Sequence, residues 1–263
     1  MKNKKPKIVV VTGASGGIGK AVKELFEKAG DTAVGLSRSD CGKEWIKCDV
    51  TNREEVDRAI DAVGKRFGRI DILINNAGIG ISGALELTTD EDYKKVMATD
   101  VDGVFNVCRA AVKYIPRGGK IVNISSVCAL FALPYRSLYC AAKAAVNMMS
   151  FGLRMELKQS GISVVTVCPG EIKTGFTAAR IKNFETNARY GDSIERSARH
   201  IDEKEEKRMS CAKAAEKIYK IADRKKGAMY IVGAKYRALY FFSALVPKGS
   251  MLTATANLMI KRK

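Results

Sequence analysis

Short apolar runs alternate with longer stretches in which apolar side chains recur every three or four positions, from Ile8 to Val232. Short runs bounded by turn residues read as buried strands, and the longer periodic stretches read as amphipathic helices. The pattern predicts strands at Ile8–Val11, Thr32–Leu36, Ile46–Cys48, Ile70–Ile74, Lys120–Ile124, Ser163–Val167 and Ala228–Val232. Helices are predicted at Gly19–Ala29, Asn52–Phe67, Asp90–Tyr114, Ser137–Ser160 and Ala212–Asp223. Seven strands with intervening helices predict an α/β, three-layer, doubly wound fold, with a mainly parallel sheet covered on both faces.

A chain of 263 residues is long enough for one such domain, and no linker or repeat divides it. Two segments break the rhythm. Residues 174–209 are rich in charge and follow the sixth strand. Ligands of open α/β sheets bind beyond the carboxyl ends of the strands, so this insertion is expected to cover the substrate. Residues 234–263 form a basic, apolar tail in which Tyr236–Val246 and Leu252–Ile260 are flanked by bases, with no carboxylate after Asp223. Such a tail fits peripheral contact with a membrane surface, or packing against a partner subunit.

Composition removes several classes. The basic start, Met1–Lys7, runs straight into a strand without the apolar run and cleavage site of a signal peptide. No stretch approaches about 20 apolar residues, the length of a spanning helix. Seven scattered cysteines with no Cys-x-x-Cys pair read as reduced thiols, so a cytoplasmic protein is expected. His200 is the single histidine, which argues against a Ser-His-Asp hydrolase or a histidine metal site, and no metal is expected. The net charge of +18 would attract an acidic partner, such as an anionic membrane or an acidic carrier protein. Nucleic acid is not expected, because the bases are dispersed without interleaved aromatics.

The candidate chemistry lies in four places. Thr12–Gly19 carries Gly13, Ser15, Gly16, Gly17, Ile18 and Gly19 between a strand and a helix, the context in which glycines let a pyrophosphate approach a helix N-terminus. Asn75-Asn76-Ala77-Gly78 ends the fourth strand. Tyr139 and Lys143, four apart, share one helix face, and Ser126 precedes them. An ammonium beside a phenol favours the phenolate, which suits proton exchange with an alcohol or ketone. Pro169-Gly170 closes the sixth strand.

Together these motifs resemble the short-chain dehydrogenase/reductase family, with its Thr-Gly-x-x-x-Gly-x-Gly loop and Tyr-x-x-x-Lys pair, over about residues 7–233. The resemblance implies a Rossmann-like dinucleotide-binding domain and an enzyme interconverting a ketone and a secondary alcohol. It also implies roles. Tyr139 is the acid/base, Lys143 contacts the nicotinamide ribose and lowers the Tyr139 pKa, and Ser126 orients the carbonyl. Asp49 and Val50 would lie along the adenine, Asn76, Ala77 and Gly78 near the adenosine ribose, and Pro169, Gly170, Ile172 and Thr174 by the nicotinamide. Asp100 stands where the family usually has an asparagine whose main chain supports a proton relay. Ser37 and Arg38 end the second strand, where an acidic residue would favour NAD(H). Their hydroxyl and guanidinium suit a 2′-phosphate, so NADP(H) is expected over NAD(H).

The substrate is expected to be lipophilic, steroid-like or fatty. The residues expected to face it are Cys128, Leu130, Leu133, Tyr135, Arg136, Glu171 and Phe176. A 3-oxoacyl-carrier-protein reductase and a non-catalytic dinucleotide sensor are the alternatives. The family commonly forms homodimers or homotetramers, and the same is expected here.

Overall fold

The computed structural model describes residues 5–203, 208–224 and 227–260. The side chain of His200 and the closing Lys261-Arg262-Lys263 lie outside the described residues. The central sheet comprises β1 (Ile8–Thr12), β2 (Thr32–Ser37), β3 (Trp45–Lys47), β4 (Ile72–Asn75), β5 (Lys120–Ile124), β6 (Ser163–Pro169) and β7 (Met229–Val232). Its order is β7-β6-β5-β4-β1-β2-β3, and every pairing is parallel. Within this sheet the strand pattern expected from the sequence holds to within a residue or two.

Alternation along β1 sends neighbouring valines to opposite faces. Val10 joins Leu36, Ile60, Leu73 and Ile121 in the core against α2 (Arg53–Phe67), α4 (Gly103–Ala111) and α5 (Ser137–Glu156). Val9 joins Phe26, Ile74, Val165 and Ile218 against α1 (Gly17–Lys28) and α8 (Cys211–Arg224). Each fully buried side chain of this size contributes about 1.5–3 kcal/mol relative to exposure.

Local chemistry sets the helix limits. The Asn52 side chain accepts from the Glu54 and Glu55 backbone amides to start α2, and Gly68, at φ +74°, ends it in the left-handed region. The expected helix over Asp90–Tyr114 is divided into α3 (Asp90–Met97), a π-helical turn at Ala98–Asp102, α4 and a 3-10 turn at Val112–Tyr114. The π turn is what brings Asp100 into the interior.

Among the described residues of 174–209, Phe176–Ala179 forms α6 and Ser193–Glu203 forms α7. Two-residue pairings tie the segment down: Ile181–Lys182 with Ile81–Ser82, and Met209–Ser210 with Ile172–Lys173. Beyond β7 the tail forms α9 (Ala234–Ser243) and α10 (Lys248–Ile260).

Candidate active site

β1 ends at Thr12 and α1 opens at Gly17, so the glycine turn sits at the carboxyl edge of the sheet, where the strand order reverses beside β4. Gly13 has φ +64°, and a Cβ there would lie 2.9 Å from Ala77 Cα. At Gly19 a Cβ would lie 2.3 Å from the Gly13 carbonyl oxygen, so α1 presses on the turn only because the position is bare. The Thr12 hydroxyl accepts from the backbone amides of Asn76, at 2.9 Å, and Ala77, at 3.0 Å. Asn76 Nδ2 donates to the carbonyls of Thr12, at 3.1 Å, and Gly13, at 3.3 Å. Thr12 and Asn76 thus lock the ends of β1 and β4 together. At Gly16 the space beyond the backbone is open, with nothing within 4 Å of a Cβ. A bare turn leading into a helix N-terminus fits a pyrophosphate.

Ser37, Arg38, Asp49 and Val50 line the cavity beside this turn. The Ser37 hydroxyl donates to the Ser39 carbonyl at 2.6 Å and accepts from Trp45 Nε1 at 3.1 Å. Its proton is therefore engaged within the protein, whereas the neighbouring Arg38 is exposed at the cavity rim. Asp49 Oδ1 accepts from the Thr51 amide and hydroxyl, at 2.9 and 2.8 Å, shaping the turn into α2.

Buried polar contacts hold α5 to the sheet. Asn75 Nδ2 donates to Asn123 Oδ1 at 2.8 Å, and Asn123 Nδ2 donates to Ser150 Oγ at 2.8 Å. Ser125 Oγ donates to the Lys143 carbonyl at 3.0 Å. This anchoring brings Ser126, Tyr139 and Lys143, all buried, to one wall of the cavity. Ser126 Oγ accepts from the Cys128 amide at 3.1 Å, leaving its proton for another acceptor.

Asp100 is fully buried; its Oδ1 accepts from the Ile79 amide at 2.7 Å, and its Oδ2 lies 3.1 Å from Lys143 Nζ. Lys143 Nζ is 5.7 Å from the centre of the Tyr139 ring, and Arg136 lies over the same ring at 5.3 Å. The lysine charge is therefore matched by Asp100 in the protein alone. Burial raises the Tyr139 pKa above the ordinary phenol value, and negative charge at Cys128 and Asp100 adds to the rise. Arg136 and a hydrogen bond with Ser126 oppose it. Tyr139 consequently holds its proton across the neutral range, as an acid for carbonyl reduction must. Cys128 is pulled the other way, because a hydrogen bond with the Cys140 thiol favours its thiolate and Arg136 adds to this.

Residues 7–184 match the short chain dehydrogenase family. The chain belongs to that family. It is therefore an oxidoreductase acting between CH–OH and C=O with a nicotinamide dinucleotide. It is 40% identical over 228 residues to a 3-ketodihydrosphingosine reductase of Bacteroides thetaiotaomicron, an alignment covering 84% of this chain and 85% of that protein. A short-chain dehydrogenase from Streptomyces avermitilis superposes with a TM-score of 0.82 at 30% identity, over 97% of this chain and 98% of that one. The structure of ElxO with NADP bound superposes with a TM-score of 0.73 at 31% identity, covering 89% of this chain and 99% of that one.

In this short-chain dehydrogenase the cavity measures about 750 Å³ and runs from the glycine turn past Ser126 and Tyr139 to an apolar wall. Pro169, Gly170, Ile172 and Thr174 line it, and Thr174 also accepts from the Phe176 amide at 3.2 Å. Phe176 from α6 stands 6.0 Å from the Tyr139 ring, centre to centre. Cys128, Leu133, Arg136 and Glu171 line the cavity as expected, whereas Leu130 and Tyr135 are not among its lining residues. Tyr135 instead shares a 2.7 Å hydrogen bond with Ser193 of α7, so it fastens the 174–209 segment.

Sequence reasoning missed Thr12 as the lock on the turn and the tail as a wall. Tyr236 packs on Gly170, where a Cβ would lie 2.2 Å from its ring, and its hydroxyl donates to Glu171 at 2.8 Å. Leu239 from α9 and Met251, Leu258 and Met259 from α10 complete the apolar side. The run of aromatic and aliphatic residues in the tail was the available signal.

Proposed function

We propose that this enzyme uses NADP(H) to reduce a long-chain lipophilic ketone to the secondary alcohol. The observation that carries the reading is the continuity of one cavity from the glycine turn, past Tyr139, to an apolar wall built by α6, α9 and α10. The 40% identity to a 3-ketodihydrosphingosine reductase supports the same substrate class.

Gly13–Gly19, Asp49, Val50, Asn76–Gly78, Pro169, Gly170, Ile172 and Thr174 would hold the dinucleotide, with Arg38 on the 2′-phosphate. The nicotinamide, when bound, supplies the hydride. The protein manages the proton and the geometry. Ser126 donates to the substrate carbonyl and fixes its orientation. Tyr139 gives its proton to the same oxygen as it becomes an alcohol. Lys143 and Asp100, already paired, form the route by which that proton is replaced. Asp49 and Glu171 are the carboxylates among the described lining residues. Asp49 belongs to the adenine end, so Glu171 is the group suited to an ammonium carried near the ketone. The segment 174–209 covers the site. Phe105 on α4 and Met148 and Met155 on α5 are exposed apolar side chains that self-association as a homodimer or homotetramer would cover.

NADPH absorbance followed with four ketones tests the reading. The panel is a long-chain 2-amino-3-ketone, its deaminated analogue, a 3-ketosteroid and a 3-oxoacyl carrier-protein thioester. The expected order places the amino ketone first in kcat/KM and the carrier thioester last. A preference for the thioester would overturn the substrate class. Tight NADPH binding without turnover on any of them would identify a dinucleotide sensor.

A further inference from the structure

The tail has two sides. Leu239, Met251 and Met259 face the cavity, while Phe241, Phe242 and Leu245 do not line it and are 70%, 58% and 75% exposed. These three cluster at the end of α9 and in the turn leading to α10, and Phe241 and Phe242 stack edge to face at 5.4 Å. Exposed Arg237 and Lys248 flank them. Residues 224–263 contain no aspartate or glutamate. Contiguous exposed aromatics mark a contact surface rather than a solvated one.

The occupant follows from the charge. A second copy docking through this same patch would bring Arg237 and Lys248 against their own equivalents, with no tail carboxylate to match them. An anionic bilayer matches both properties at once, because apolar side chains enter the acyl boundary while bases meet the headgroups. The patch also adjoins the cavity. α9 contributes Leu239 to the wall and rests on the site through Tyr236, against Gly170 and Glu171, and Tyr240, 6.4 Å from the lining residue Phe131.

We propose that α9 and α10 seat the enzyme on an anionic membrane surface and form the passage by which a lipid substrate moves from the bilayer into the cavity. This rests on the long-chain ketone reading for the identity of the cargo, but the docking itself is tested without substrate.

The experiment is co-sedimentation of the full chain with vesicles of phosphatidylcholine alone and of phosphatidylcholine with phosphatidylglycerol. The wild-type protein is expected to pellet with the anionic vesicles and to stay in solution with the neutral ones at physiological salt. The triple variant Phe241→Ser, Phe242→Ser, Leu245→Ser is expected to bind anionic vesicles at least tenfold more weakly. Its kcat/KM on a short soluble ketone and its NADPH affinity should stay unchanged, since none of the three lines the cavity. Wild-type protein left in the supernatant overturns the proposal, as does a triple variant that sediments like wild type. A triple variant that sediments like wild type but loses a dimer in analytical ultracentrifugation assigns the patch to a second copy. Vesicle binding without turnover of long-chain ketones supports the docking and retires only the proposed cargo.

Discussion

The two ends of the cavity are built by different means. At the cofactor end, backbone atoms form the surface and a few side chains fix the backbone: Thr12 and Asn76 clamp two strand termini, and Gly19 lets a helix meet a carbonyl. At the substrate end, side chains form the surface, and they come from short or terminal helices with many exposed residues. One end depends on what is absent, namely Cβ atoms. The other depends on what is present, apolar side chains brought together from several helices.

Tyr139 stands where the two ends meet, and removing its hydroxyl should separate them most sharply. Tyr139→Phe is expected to lower kcat about 10²–10⁴-fold, the usual range for loss of a general acid. The NADPH dissociation constant, read by fluorescence titration, should stay where it was. Equal losses in both would mean that the two ends are not independent.

The cradle itself is probed next. Gly19→Ala adds a methyl group that would lie 2.3 Å from the Gly13 carbonyl oxygen. Overpacking of this kind costs about 1–3 kcal/mol, so NADPH binding should weaken about 10–100-fold. KM for the ketone at saturating NADPH should change little, and a larger change in KM than in NADPH affinity would break the contrast. Arg38→Gln acts at the rim of the same end. It removes a charged hydrogen bond of about 1.5–3 kcal/mol and should cut the preference for NADPH over NADH about tenfold or more. An unchanged ratio of kcat/KM for the two cofactors would remove Arg38 from the 2′-phosphate.

The smallest effect concerns pH. Asp100 adds to the rise in the Tyr139 pKa and matches the Lys143 charge. Asp100→Asn removes that negative charge and frees the lysine, and both changes lower the Tyr139 pKa. Reduction needs the protonated phenol, so its rate falls as pH rises through that pKa. The alkaline limb of the reductive pH–rate profile should therefore move to lower pH in the variant. A superimposable limb would show that Asp100 has no part in setting the acid.

The same contrast explains what could be read from the chain beforehand. The sheet was legible because buried parallel strands are short apolar runs, and Val9, Val10 and Val11 serve both faces with no polar alternation to obscure them. The cradle was legible because missing side chains leave a spacing of glycines that few other structures require. The break in the helix after Asp90 was not, because it depends on Asp100 being held by the Ile79 amide and Lys143, neither of which is its neighbour in sequence. The Ile81–Ser82 and Ile181–Lys182 pairing was also hidden, since two residues carry no period. The tail showed apolar and basic character, but its place on the cavity follows from Tyr236 meeting Gly170, a contact across 66 positions that no local pattern encodes.

The π turn at Ala98–Asp102 amounts to one residue more than an α-helix of the same span would use. Deleting one position there would restore an ordinary i→i+4 turn, leaving α3 and α4 facing nearly as they do now but removing the bulge that carries residue 100. Val96 would keep its place in the core, whereas residue 100 would lose its contacts with the Ile79 amide and Lys143. Single-residue length variation in this helix should therefore be tolerated far less well than substitution. Among related chains, a gap at these five positions would mark a protein that has either rebuilt its proton route or given up the reaction.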